Sequence, residues 1–335
     1  MAQRTFTGLD YTRRNTAPCR GRAKCIISMV VSMAEKQALQ SERAQLAEVL
    51  NELEAEHAVK EISGWESGFV NLSRALDGLL PGLYLLIGPP ACGKTSLAKQ
   101  LLDQAAMNNS VPGIFFSFAE RKKELRIKTL ARLSGVENRE IRRGSAYLLH
   151  WYGVPRLGNV DAGQLPPSWE KLRRSAEEAR SWLDLTYIVE CDRRMTLHDI
   201  EDQIQAVKQI QGRDQIIAAI DDAQRLALSE QSLENRLAIL ADQLQAIAVN
   251  SNAALFAVWP DLHGKRDTTP DAWADRIPGA DVVLVMERNQ KRTEKLTPPN
   301  QAIILHIVKN RGGERGSLAF EFSPAFARFV EAEPS

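Results

Sequence analysis

Excess charge of either sign is missing from this sequence. Lys and Arg number 43 against 42 Asp and Glu in 335 residues, a net of +1. That excludes a globally basic, histone-like binder and leaves room only for a local basic lining. Cysteine is scarce. Cys19, Cys25, Cys92 and Cys191 form no CxxC pair and no Cys/His ligand spacing, so no zinc site is expected. Free thiols fit a reducing compartment. Long apolar runs are absent too. The longest, Cys25–Met33, falls well short of the roughly 18–20 residues a membrane helix needs. The polar stretch before it is too long for a signal peptide. No membrane segment is expected, and the cytoplasm follows. Gly and Pro make up only about a tenth of the chain, which excludes collagen-like or extensively disordered sequence.

What is present falls into three parts. Residues 1–33 carry six basic residues (Arg4, Arg13, Arg14, Arg20, Arg22, Lys24) against Asp10 alone. This stretch reads as a disordered basic tail, or as an upstream start with Met33 the true one. The functional alternative is a basic arm that touches phosphates. Without residues 1–32 the chain has 37 basic and 41 acidic residues, a net of −4. Residues 34–62 read as an amphipathic helix, with Leu39, Leu46 and Leu53 recurring every seven and Val49 and Leu50 between them. Its apolar stripe must pack on its own domain or on a neighbouring subunit. From residue 64 to 332 short apolar runs alternate with helical periodicity. Strands are expected at 83–87, 114–118, 185–189, 216–220, 254–259 and 282–286. Helices are expected at 95–107, 122–134, 169–182, 197–210 and 233–249. Residues 303–308 and 318–322 read as a terminal hairpin. Continuous β-branched runs alternating with helices predict an α/β fold whose mainly parallel sheet is covered on both faces.

The strongest motif is Gly88-Pro89-Pro90-Ala91-Cys92-Gly93-Lys94-Thr95, a G-x-x-x-x-G-K-[ST] phosphate loop. It follows a predicted strand and, with Ser96, opens a predicted helix. Successive backbone N–H groups form a nest for phosphates, and the helix N-terminus adds positive potential. Lys94 supplies a charge for the β/γ-phosphates and Thr95 a hydroxyl for Mg²⁺. Cys92 reads as a small residue that fits the loop. The run Ile216–Asp221 ends in a carboxylate at a buried strand end, where a P-loop fold orders Mg²⁺. ATP and Mg²⁺ are the expected cofactors.

Read in order from Gly64 to Ala332, these segments resemble the RecA-like C-terminal ATPase domain of DnaB-type replicative helicases. The resemblance rests on the Ser67–Gly82 segment, the phosphate loop, Phe115–Glu120 and Leu125–Gly135. Asp221-Asp222-Ala223-Gln224 resembles the family's Walker B stretch, including its glutamine. Lys309-Asn-Arg311-Gly-Gly resembles the late K-x-R-x-G. The resemblance implies a RecA-like core with a C-terminal hairpin and an N-terminal helical arm, lacking the family's N-terminal domain. It implies that Lys309 and Arg311 reach the γ-phosphate of an adjacent subunit, and that the helix at 34–62 docks on a neighbour.

Departures from the family pattern sharpen the expectations. Ungapped alignment puts Ala119 where the family has its catalytic Glu. Glu120, one residue later, can serve only if the strand ends in a bulge or turn, because a one-residue slip reverses the face. Asp222 is the second candidate for positioning water. Trp259-Pro260 replaces a polar Ser-Gln pair. The segment His263–Ala280 stands where the family's DNA-facing loop lies, and its basic and acidic residues nearly balance. Ser145–Gln164 reads as an insertion carrying Tyr147, His150, Trp151, Tyr152 and Arg156, either stacking bases or covering a subunit edge. The first functional expectation is an ATP-hydrolysing DNA helicase or translocase. It acts as a homo-oligomeric, hexameric ring on single-stranded DNA in replication, with replication proteins as further partners. The alternative is a regulatory or loader-type ATPase with weak hydrolysis. A small-molecule kinase leaves the KNRGG segment unexplained.

Overall fold

The computed structural model describes residues 62–143, 167–226, 233–260 and 270–333, together with residues 43, 46, 49–51 and 54. The chain divides into two compact units, Met1–Lys60 and Glu61–Ser335. In the first unit the described residues are helical, and Leu46, Val49 and Leu50 are exposed. The basic residues of 1–33 and the insertion Ser145–Gln164 lie outside the described residues, as do residues 263–269 of the expected DNA-facing segment. No helix among the described residues is long and apolar enough to cross a membrane.

The second unit is built on a nine-stranded sheet. In chain order its elements are α1 (Val70–Leu76), β1 (Gly82–Gly88), α2 (Lys94–Asn109), β2 (Gly113–Ser117), α3 (Lys122–Ser134), α4 (Asn138–Arg143), α5 (Pro167–Glu178), α6 (Arg180–Leu183), β3 (Thr186–Glu190) and α7 (Leu197–Gln211). They continue with β4 (Ile216–Asp221), a 3₁₀ turn (Ala223–Arg225), α8 (Leu233–Asn250), β5 (Ala253–Pro260), α9 (Ala272–Arg276), β6 (Val282–Arg288), α10 (Gln290–Thr293), β7 (Gln301–Asn310), β8 (Gly316–Ser323) and β9 (Arg328–Glu331). The sheet order is β3-β2-β4-β5-β1-β6-β7-β8-β9. The first six strands in that order run parallel, and the last three extend the sheet antiparallel from β6.

The period of two decides which face each side chain serves. Tyr84, Leu86 and Phe115 join one core with Leu97, Leu101, Phe256 and Phe320. Leu83, Leu85, Ile87 and Phe116 join the other, with Ile200 and Ile204 of α7 and Leu237 and Leu244 of α8. Central strands β1, β2 and β4 are buried at every position. That is why they read as unbroken apolar runs. Helix ends follow local chemistry. Thr196 and Asp199 form a capping box on α7, and Gly212 closes it in the left-handed region with φ 60.

Three differences from the sequence expectation are informative. The helix expected at 169–182 is split into α5 and α6 at Ala179, a turn residue with φ −85 and ψ −3. The terminal hairpin is the first part of a three-stranded extension, because β9 pairs with β8. That strand is only four residues long, and just one of them, Phe329, is fully buried. The short helices α1, α4, α9 and α10 span too few residues to show a period.

Candidate nucleotide site

The phosphate loop leaves β1 at Gly88 and enters α2 at Lys94. Its shape is forced at two positions. Ala91 has φ 60 and Gly93 has φ 89. A Cβ on Gly93 would also lie 2.8 Å from the rings of Phe322 and Phe329. Those two rings stack at 4.4 Å beneath the loop. The antiparallel extension therefore supports the loop from below, and a side chain at Gly93 would be strained for two reasons. Cys92 is fully buried, and burial pushes its thiol up, so it is a packing residue rather than a reactive one.

Lys94 Nζ donates to the carbonyls of Gly88 and Pro89, both at 2.8 Å. The ammonium is thus folded over the concavity of its own loop. Thr95 Oγ1 donates to both oxygens of Asp221, at 3.0 and 3.1 Å. Asp221 ends β4, two strands away from β1, and is 1% exposed. Burial pushes its carboxyl up to about 7. The charge of Asp222 adds to this, the Thr95 hydrogen bond opposes it, and Glu120 raises it further. Ser96 is buried in the first turn of α2.

The strand β2 stops at Ser117, and the chain then bends through Phe118, Ala119 and Glu120. Ser117 Oγ donates to the Glu120 carbonyl at 2.7 Å and accepts the Glu120 N–H at 3.1 Å. This turn supplies the departure from strand geometry that Glu120 requires, while Ala119 is exposed. Glu120 Oε1 pairs with Lys128 of α3, and its Oε2 is buried without a partner. Asp222 adopts the left-handed region with φ 55. Its Oδ1 accepts Gln224 Nε2 at 3.3 Å and its Oδ2 pairs with Arg225 at 3.3 Å. Gln224 Oε1 is likewise buried without a partner.

These oxygens suit Mg²⁺. Thr95 Oγ1 and the Asp221 carboxylate share one spot, and the Glu120 and Gln224 oxygens are orphaned acceptors in the surrounding turns. Hard oxygen donors of this kind match the ion. Among the described residues no group of three or more His, Cys, Asp or Glu could hold a metal by itself. That fits an ion held by one or two protein oxygens, with phosphate and water completing the shell.

Lys309 and Arg311 stand elsewhere. Lys309 pairs with Val283 in β6, which pairs with Leu85 in β1. Its Nζ donates to the carbonyls of Ile277 at 3.2 Å and Pro278 at 2.7 Å. Burial, then the Arg311 charge, lowers its pKa. Arg311 pairs with Asp281 Oδ1 at 2.7 Å, and Asp281 Oδ2 accepts the Leu83 N–H at 2.9 Å. Arg311 is therefore anchored level with Leu83, about 16 Å along the strands from Gly88 at ~3.3 Å per residue. It does not reach the phosphate loop of its own chain. Trp259 is fully buried in line with Ile87, with its Nε1–H lacking a partner, and Pro260 lies in line with Gly88, so among the described residues no hydroxyl, carboxamide or charged side chain stands at the end of β5.

Sequence reasoning missed three cations around the site. Lys128 holds Glu120 from two turns along α3. Arg225 joins Asp222 to the Phe118 carbonyl, tying the turn after β4 to the turn after β2. Arg288 donates to the Ala91 carbonyl at 3.3 Å from the end of β6. Only the last carries a signal in the sequence, a basic residue ending an apolar strand.

A phosphate loop on β1, a carboxylate on β4 facing the loop's threonine, and helices on both faces define a P-loop nucleotide-binding domain. Its class is RecA-like, with a mostly parallel sheet extended by antiparallel strands. The chain belongs to the family described as DnaB-like helicase C terminal domain, whose model matches residues 64–331. A curated relative, the replicative DNA helicase DnaB of Leifsonia xyli, is 23% identical over 304 residues, which is 85% of this chain and 60% of that protein. The chain thus spans about three-fifths of that relative's length. A solved ATPase domain superposes with a TM-score of 0.70 at 20% identity, covering 88% of this chain and all of the other. A DnaB-like replicative helicase, solved in a study of its interactions with primase, gives 0.67 at 17% identity, covering 93% and 76%. At these identities the two structures speak for the fold.

Proposed function

We propose that the chain is an ATP-binding, ATP-hydrolysing DnaB-like helicase or translocase that works on single-stranded DNA in replication as a homo-oligomeric, hexameric ring. The observation that carries the reading is the division of the site. Lys94, Thr95 and Asp221 gather at one end of the sheet, while Lys309 and Arg311 stand beyond reach of them in the same chain. A closed ring supplies the missing half from the next copy. In this reading Gly88–Ser96 cradle the phosphates. Thr95 and Asp221 hold Mg²⁺, which would neutralise charge on the transferring phosphoryl group. Glu120 orients the attacking water with its open oxygen, held in place by Lys128. Gln224 contacts the nucleotide or its water. Lys309 and Arg311 stabilise transition-state charge in trans, Arg through its fixed fork of donors. Replication proteins are the further partners, and the cytoplasm is the compartment.

A second reading rests on Trp259-Pro260. With Trp259 and Pro260 in place of a hydroxyl and a carboxamide at the end of β5, the γ-phosphate is sensed poorly, and the ATPase serves assembly or recruitment with weak turnover. One experiment separates the two. ATP turnover is measured with and without single-stranded DNA, beside a Lys94→Ala control. Several-fold stimulation by DNA that Lys94→Ala abolishes supports the helicase. Slow turnover indifferent to DNA supports the regulatory ATPase. Turnover unchanged in Lys94→Ala rules out the phosphate loop as the site.

A further inference from the structure

Away from the phosphate loop, α2 and α3 bury an ion cluster that the proposed reaction does not use. Lys99 is 2% exposed and Asp103 3%. Lys99 and Arg132 both pair with Asp103, which also accepts Thr129 Oγ1 at 2.8 Å. One buried carboxylate thus serves two buried cations, and the charge of Arg328 bears on Arg132 as well. Burial pushes the Lys99 ammonium below its usual range, with Asp103 opposing. A buried charge in excess is costly unless a counter-charge meets it. An ammonium has three donors. Asp103 takes one of Lys99's, and no second acceptor is found among the described residues.

A cleft of about 320 Å³ is lined in part by Lys99. Among the described residues its walls are of three kinds. Leu130, Leu183 and Ile188 are apolar, and Arg126 is exposed. Thr129 and Thr186 contribute hydroxyls whose protons are already committed, to Asp103 and to the Leu183 carbonyl at 3.1 Å. No carboxylate and no phosphate-loop residue is among these walls. The open donors of the cleft are therefore all cationic, and the rest of its lining is largely apolar. Its volume is at the small end for a ligand site.

We propose that this cleft binds a small organic anion, a carboxylate or phosphate on a short apolar body, with its head on Lys99 and Arg126 and its body against Leu130, Leu183 and Ile188. The head completes the counter-charge that Asp103 supplies only in part. The ligand rests on α2, the helix that begins with Lys94 and Thr95, about 7 Å further along its axis at ~1.5 Å per residue.

The test is calorimetry on the full chain with saturating Mg²⁺ and a non-hydrolysable ATP analogue, which blocks the phosphate loop without turnover. Hexanoate, hexyl phosphate, inorganic phosphate and hexanol are the probes. Saturable binding of hexanoate or hexyl phosphate is expected, with the tighter of the two fixing the head group. Inorganic phosphate is expected to bind more weakly, and hexanol not at all. Arg126→Ala, an exposed change that spares the fold, is expected to weaken binding about tenfold by removing one charge-assisted hydrogen bond. Lys99→Met is expected to abolish it. No saturable binding, equal binding of hexanol, or binding indifferent to Arg126→Ala overturns the proposal. Crystals soaked with 6-bromohexanoate give an independent readout. Bromine between Leu130 and Ile188 supports the site, and bromine only elsewhere overturns it.

Discussion

Two lysines in this molecule are parked in the same way at opposite ends of one sheet. Lys94 rests on the carbonyls of Gly88 and Pro89, and Lys309 on those of Ile277 and Pro278. The surroundings differ. Lys94 sits over a loop with two positive-φ residues, beside Thr95 and a buried Asp221, the groups proposed to hold the nucleotide's phosphates and their metal. Lys309 has Arg311 and Asp281 for neighbours at a strand edge, with no phosphate nest. One end gathers its groups around a loop within a chain. The other carries cations held by the Ile277 and Pro278 carbonyls and by Asp281. In the proposed reading the sheet separates the nucleotide cradle from the charges that would act on the neighbour's nucleotide, and turnover would depend on assembly.

The largest expected effect comes from breaking the second end alone. Arg311→Ala is expected to lower turnover about a thousandfold, the lower range for an arginine supplied in trans. Nucleotide affinity, followed with a fluorescent ATP analogue, stays unchanged. Mixing this variant with Lys94→Ala protein pairs an intact loop with an intact arginine and restores part of the activity. Absence of rescue would put Arg311 outside the site of a neighbour and dissolve the contrast.

A smaller effect sharpens the first end. Glu120 keeps one carboxylate oxygen without a partner, whereas both Asp222 oxygens are engaged by Gln224 and Arg225. Glu120→Gln is expected to cut turnover about a hundredfold, the scale of a lost catalytic acid–base group. Asp222→Asn stays within about fivefold, because a carboxamide still accepts from Gln224. Steady-state rates at saturating ATP decide it, and the reverse ranking assigns the water to Asp222.

The contrast between the ends also explains what the sequence disclosed. The phosphate loop was legible because backbone geometry ties its glycines and its Lys-Thr pair to fixed spacing. Asp221 was legible because it ends a buried apolar strand. The two cores were legible from the period of two in β1 and β2. Glu120 was legible only as a conditional candidate, because the turn it requires rests on the Ser117 hydroxyl, whose bonds to Glu120 a strand pattern does not disclose. Lys128 and Arg225 were not, because their partners lie on other elements, 107 residues away in the case of Arg225 and Phe118. Strand β9 escaped notice because four residues show no period, although Phe329 supports Gly93.

The smallest effect concerns the pH dependence of the empty cradle. Asp221 has a folded-state pKa raised to about 7, first by burial and then by Asp222, against about 3.9 for an unperturbed Asp. Between those values the folded chain holds a proton that the unfolded chain has released. This contribution to stability is therefore complete below about pH 4 and is lost as pH rises through about 7. Asp221→Asn cannot ionise and lacks the dependence. Melting of the nucleotide-free protein between pH 5 and 8 is expected to show the wild type losing a few degrees relative to Asp221→Asn, the scale that one or two kcal/mol gives in a domain of this size. Titrating groups that do not interact with Asp221 are common to the two proteins and cancel in the difference, which leaves Asp221 with its neighbours Asp222 and Glu120. A constant difference across that range would mean that Asp221 is ionised throughout. The cradle would then be poised for Mg²⁺ at pH 5 as well as at pH 8.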